Sequence, residues 1–254
     1  MADWTVFATP AMLWVTVLAV SLVGLSKGGL GGAFALMGVP VMSLVMPPVL
    51  AAAVLLPILL MMDAVSLWTW RGWRDGSVLR VMLPAALIGI GLGWATAAIT
   101  SDAVVRLMVG AVALAFAARA LLGRWLGRAP RHIPAMGWLW GAVAGFTSFV
   151  AHAGGPPFQI QVLPKRLDPR TYTGTSVIFF AVVNAIKVVP YAALGMFQRD
   201  VLISALVLAP LAVVAVRIGA AIVRRMRAEV FYPFTYTMVA LVGVKLVWDG
   251  LAAL

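Results

Sequence analysis

Gly24-Leu25-Ser26-Lys27-Gly28-Gly29-Leu30-Gly31-Gly32 interrupts an otherwise apolar run from Phe7 to Met46. Some forty apolar residues are enough for two bilayer passages at about 20 residues each. Glycine favours a broken helix, and its freed backbone groups then need protein, water or ligand as partners. An ammonium at membrane depth costs about 2.5–3.5 kcal/mol or more unless something compensates it. The stretch therefore reads as the broken tip of a hairpin inside a membrane. A second break, Ala151-His152-Ala153-Gly154-Gly155-Pro156-Pro157, lies in the other half of the chain.

The whole composition fits this reading. Of 254 residues, 63% are hydrophobic and 11% charged, whereas about a quarter of a soluble domain is charged. The net charge of +11 resides in short loops between apolar runs, so it is read as a topology signal and not as a nucleic-acid interface. The absence of cysteine excludes disulfides, thiolate metal sites and cysteine nucleophiles. Met1-Ala2-Asp3-Trp4 lacks the basic start of a signal peptide.

Four basic clusters, Arg71/Arg74/Arg80, Arg124/Arg128/Arg131, Lys165/Arg166/Arg170 and Arg224/Arg225/Arg227, are assigned to the cytoplasm. Residues 10–26 then enter from outside and 32–46 return there. Full crossings follow at 49–70, 78–99 and 103–123. After the linker 124–134, residues 136–152 leave the cytoplasm and meet the second break. Only nine residues then precede Lys165, a helical rise of about 14 Å, so this segment is expected to be re-entrant. Crossings at 171–197, 200–223 and 230–250 complete an all-α polytopic domain spanning 1–254. Both termini are expected in the periplasm.

Gly31 and Gly155, Pro40 and Pro164, and Asp63 and Lys187 share one offset of 124 residues. Each half holds one broken hairpin and three crossings, an odd number, so the second half enters from the opposite face. The expected fold is two inverted-topology repeats, 7–125 and 134–254, with a site between the hairpins.

Gly24 to Pro40 (GLSKGGLGGAFALMGVP) and Gly145 to Pro164 (GFTSFVAHAGGPPFQIQVLP) resemble the paired motifs of the sulfite exporter TauE/SafE family. The resemblance runs from about residue 10 to 250. It implies a bacterial inner-membrane transporter of sulfite, sulfonates such as sulfoacetate, or related anions. His152 and Pro156-Pro157 stand where the family usually has more glycine.

Candidate site residues follow from this plan. Lys27, with the N–H groups of Gly28, Gly29, Gly31 and Gly32, suits an oxyanion, although Gly24/Gly28/Gly32 is also a helix-packing stripe. His152 is a donor to an anion and a proton carrier. Gly154 and Gly155 form the second break. Thr147, Ser148, Gln159 and Gln161 offer neutral donors beside it. Asn184 and Lys187 share a helix face, and Lys187 would attract substrate. Asp63 is a coupling residue or a static ion-pair partner. Thr173, Thr175 and Ser176 either coordinate substrate or bond back to their helix. Arg217 and Lys245 are expected to snorkel, and Trp68, Trp70, Trp73, Trp125, Trp138 and Trp140 to anchor the interface. No enzyme motif, cofactor or metal site is read. The expected partners are a small anion and bilayer lipid, with a homodimer left open. The expected function, in line with the resemblance, is secondary transport, and in particular export, of small sulfur-containing anions by alternating access, and an anion channel using the same residues is the alternative.

Overall fold

The computed structural model describes residues 8–30, 37–96, 99–125, 131–193 and 197–253. Among these, ten α-helices and no strand occur: α1 Pro10–Leu25, α2 Gly38–Met42, α3 Pro48–Trp70, α4 Gly76–Ala95, α5 Asp102–Trp125, α6 Gly137–Ala151, α7 Gly155–Val162, α8 Pro169–Ala193, α9 Arg199–Arg225 and α10 Ala228–Ala252. Seven helical stretches of the described residues are long and apolar enough to cross a membrane. They comprise α1 with its continuation to Leu30, and α3, α4, α5, α8, α9 and α10. The helices formed by 137–151 and 155–162 are not among them, in keeping with a re-entrant second hairpin. The outward faces of the long helices carry Leu18, Ile88, Leu92, Leu206, Val207, Leu241 and Val244, all exposed, as a lipid-facing surface requires.

Local chemistry sets the helix ends. Thr9 accepts a hydrogen bond from the Met12 amide and opens α1 just before Pro10, the position where a missing N–H costs nothing. Asp75 caps α4 by accepting from the Ser77 and Val78 amides. Pro57, Pro84, Pro190, Pro210 and Pro233 lie inside helices, which membrane packing tolerates because neighbouring groups take up the freed carbonyls.

The first arm of each hairpin packs on a helix of the other half. Helix α1 lies along α9, and α6 lies along α4. Glycine permits both contacts. A side chain at Gly24 would strike Ala215, and one at Gly28 the Val216 carbonyl and the Ala220 amide. Likewise Gly141 abuts Met82 and Gly145 the Ala86 carbonyl. Gly24 and Gly28, and likewise Gly141 and Gly145, are therefore close-packing surfaces between helices. Helices α5 and α10 pair, as do α3 and α8. This exchange of partners is consistent with an inverted repeat.

The basic loops of the two halves are interlaced on one face. Lys165 donates to the Asp75 carboxylate and to Ser77 Oγ. The Asp75 amide donates to Thr175 Oγ1, 2.8 Å away. Arg224 donates to the Thr69 carbonyl and stacks over Trp70. Burial alone would raise the Asp75 pKa, but hydrogen bonds from Lys165, Ser77 and the Val78 amide, with the Lys165 charge, hold it at about 2. Trp70 departs from the expected interfacial anchor. It is 1% exposed and donates to the Gly28 carbonyl, so it braces the first hairpin from inside. Trp68, with Arg71 over its ring, and Trp138 are exposed as anchors should be.

Candidate functional site

Helix α1 runs on past Leu25 as a wider coil, Ser26–Leu30, in which Gly29 takes φ +133°. Only glycine adopts that conformation without strain. The loosened turn frees carbonyls, and α3 takes them up: Ser66 Oγ donates to the Lys27 carbonyl and Trp70 Nε1 to that of Gly28. Lys27 Nζ meets Asp63 Oδ1 at 2.6 Å, and Asn184 Nδ2 donates to the other carboxylate oxygen at 2.7 Å. Asp63 thus ties the first hairpin to α8, and its negative charge is already matched.

The second break is built differently. His152 ends α6 in a left-handed conformation, φ 52°, which turns the chain so that the Ala153 amide donates to the Thr147 carbonyl. One imidazole nitrogen of His152 lies 3.0 Å from the Tyr191 hydroxyl. Gly29 packs beside Thr173 and Val223, whereas His152 pairs with Tyr191, eighteen residues further along α8. The two breaks are therefore staggered along α8 and are not set tip to tip around one point.

Between them runs a cavity of about 140 Å³. One face of α8 supplies a continuous wall: Thr173, Ser176, Val177, Phe180, Asn184 and Lys187. The first hairpin contributes Ser26, Lys27 and Gly29, and the second Ser148, His152, Gly154, Gly155 and Gln159. Among the described lining residues are four cations, Lys27, Arg106, Lys187 and Lys245, against one carboxylate, Asp249. Lys187 is 1% exposed. Its ammonium has no hydrogen-bond or ion-pair partner among the described residues. That makes Lys187, rather than Lys27, the cation with unused donors.

Several residues singled out in the sequence take other posts. Gly28 is pressed against α9 and is not among the lining residues. Thr147 donates to the Val143 carbonyl, and its hydroxyl also lies within reach of the Ala153 carbonyl. Gln161 donates to the Ile133 carbonyl while His132 contacts its own carbonyl, so it closes the base of the second hairpin. Thr175 donates to the Thr171 carbonyl and accepts from Asp75. Gly31 and Gly32 lie outside the described residues. Lys245 was expected to snorkel, but it lines the cavity and forms a 2.6 Å ion pair with Asp249 one turn on. Arg106 also lines it. The sequence signal for these three was present in the spacing of Lys245 and Asp249 and in a charge on an otherwise non-basic face.

Apolar helices of membrane-spanning length, closed around a polar cavity between two interrupted helix pairs, define a multi-pass membrane protein. The chain matches the family model described as Sulfite exporter TauE/SafE over residues 16–246. It belongs to that family, a family of membrane transporters. No curated protein and no solved structure matches the chain.

Proposed function

We propose that the protein is a secondary transporter that exports small sulfur-containing anions across the bacterial inner membrane by alternating access. In this reading 7–125 and 134–254 are the inverted repeats, and both termini face the periplasm. The observation that carries it is Lys187, a buried ammonium with unused donors in a cavity bounded by both hairpin breaks. An unpaired charge in such a place is costly, and an anionic guest offsets that cost. Asn184 orients the neighbouring carboxylate, and Ser148, Gly154, Gly155 and Gln159 supply polar surface. Lys27 acts through Asp63. As the anion arrives and leaves, Asp63 exchanges partners between Lys27 and Lys187, and His152 serves as the second proton-handling group.

The test is sulfite and sulfoacetate efflux from loaded proteoliposomes. Lys187→Met is expected to lower the rate at least about tenfold, the scale of one lost charged hydrogen bond, while Lys187→Arg retains part of it. Wild-type flux in Lys187→Met would remove the proposal. Saturable counterflow marks a carrier, and a large unitary conductance would mark a channel instead.

A further inference from the structure

The cavity is too long and too varied for a bare oxyanion alone. Its volume of about 140 Å³ accommodates on the order of ten water-sized groups, whereas sulfite has four heavy atoms. Its two ends differ in chemistry. Lys187 and Asn184 stand toward one end of the α8 face. At the other stand Thr173 and, from α7, Gln159. These two side chains are 2% and 4% exposed, and among the described residues Thr173 Oγ1 and Gln159 Oε1 both lack a hydrogen-bond partner. Buried polar atoms are nearly always partnered, so two orphans lining one cavity ask for a ligand group. Between the ends the wall is apolar, with Val177, Phe180, Leu55 and Leu59. An inorganic anion gains nothing from such a wall.

Resting on the anion site read at Lys187, we infer that the ligand is an organic anion whose acidic head lies at Lys187 and whose far end carries a hydroxyl received by Gln159 and Thr173. An alcohol satisfies both orphans at once, since its O–H donates to the Gln159 carbonyl oxygen and its oxygen accepts from the Thr173 hydroxyl. Thr173 and Asn184 are eleven residues apart, an axial rise of about 16 Å, and a hydrogen bond of about 3 Å at each end leaves room for a chain of about four to six carbons.

The experiment is calorimetric titration of the full chain in detergent with sulfite, butanesulfonate, 4-hydroxybutanesulfonate, hexanesulfonate and 6-hydroxyhexanesulfonate. At one of the two lengths the hydroxylated ligand is expected to bind about tenfold tighter than its parent, the cost of leaving the two orphans unfilled. Thr173→Val is expected to erase that preference while changing the affinity for the parent alkanesulfonate by less than about twofold, and Gln159→Met to erase it with some loss of affinity for both members of the pair. Should Thr173→Val lose all binding, Thr173→Ser decides. Return of binding with the preference supports the subsite, and return without it overturns the subsite. Equal affinity within both pairs, or sulfite binding tighter than every organic ligand, would overturn the inference and leave the anion site intact. Unchanged affinities in Lys187→Met would instead remove the anion site itself.

Discussion

The two helix breaks interrupt their helices by different backbone devices and differ in how their polar groups are matched. At the first, the loosened coil around Gly29 has its carbonyls taken by Ser66 and Trp70 and its ammonium matched by Asp63. At the second, a left-handed His152 turns the chain, with Tyr191 as its side-chain contact, and Gly154 and Gly155 open onto the cavity. The first break lines the cavity and is braced from outside it, whereas the second contributes lining without such a brace among the described residues. A lysine beside glycines at membrane depth is thus not in itself a substrate cation. What matters is whether another helix brings it a carboxylate.

That contrast can be broken most forcefully at Asp63. Asp63→Ala leaves Lys27 and Asn184 without their acceptor and is expected to destabilise the protein by about 3–5 kcal/mol, as loss of one partner of a buried pair does. The double variant Lys27→Met/Asp63→Ala should recover most of this in denaturant or thermal unfolding. Equal loss in both variants would mean that the pair does not brace the joint. A smaller effect is expected at Gly28, where a methyl group meets the Val216 carbonyl and the Ala220 amide. Gly28→Ala should cost about 1–3 kcal/mol through overpacking, with the affinity for anions unchanged in the folded fraction. A selective loss of anion affinity would return Gly28 to the site.

The smallest effect concerns the basic face, where Asp75 joins the two halves through Lys165. Its pKa is held at about 2, below the ordinary 3.8, so the folded state favours the carboxylate. Its contribution is present above about pH 4 and is lost as the pH falls toward 2. Wild-type and Asp75→Asn melting temperatures should therefore differ above pH 4 and converge near pH 2. Parallel curves across that range would show that the interlock adds no stability.

Much of the architecture was legible in the chain. The crossings expected at 49–70 and 103–123 correspond to helices Pro48–Trp70 and Asp102–Trp125, because apolar length and basic loops fix spans independently of what packs beside them. The second hairpin was foreseen from too few residues between Gly155 and Lys165. The glycine stripes carried two readings, and packing against α4 and α9 accounts for Gly24, Gly28, Gly141 and Gly145. The partners of Trp70, Gln161 and Lys245 are not written in the sequence, since a residue's type does not reveal which neighbour its helix face will meet.

The sequence by itself determined an all-helical membrane chain with two breaks and a family membership, because hydrophobic length, loop charge and glycine act locally. The tertiary structure alone decided that Asp63 matches Lys27 and that Lys187 is buried without a hydrogen-bond or ion-pair partner among the described residues. Ion pairing depends on distances between helices remote in sequence, and those are set only once the bundle has packed.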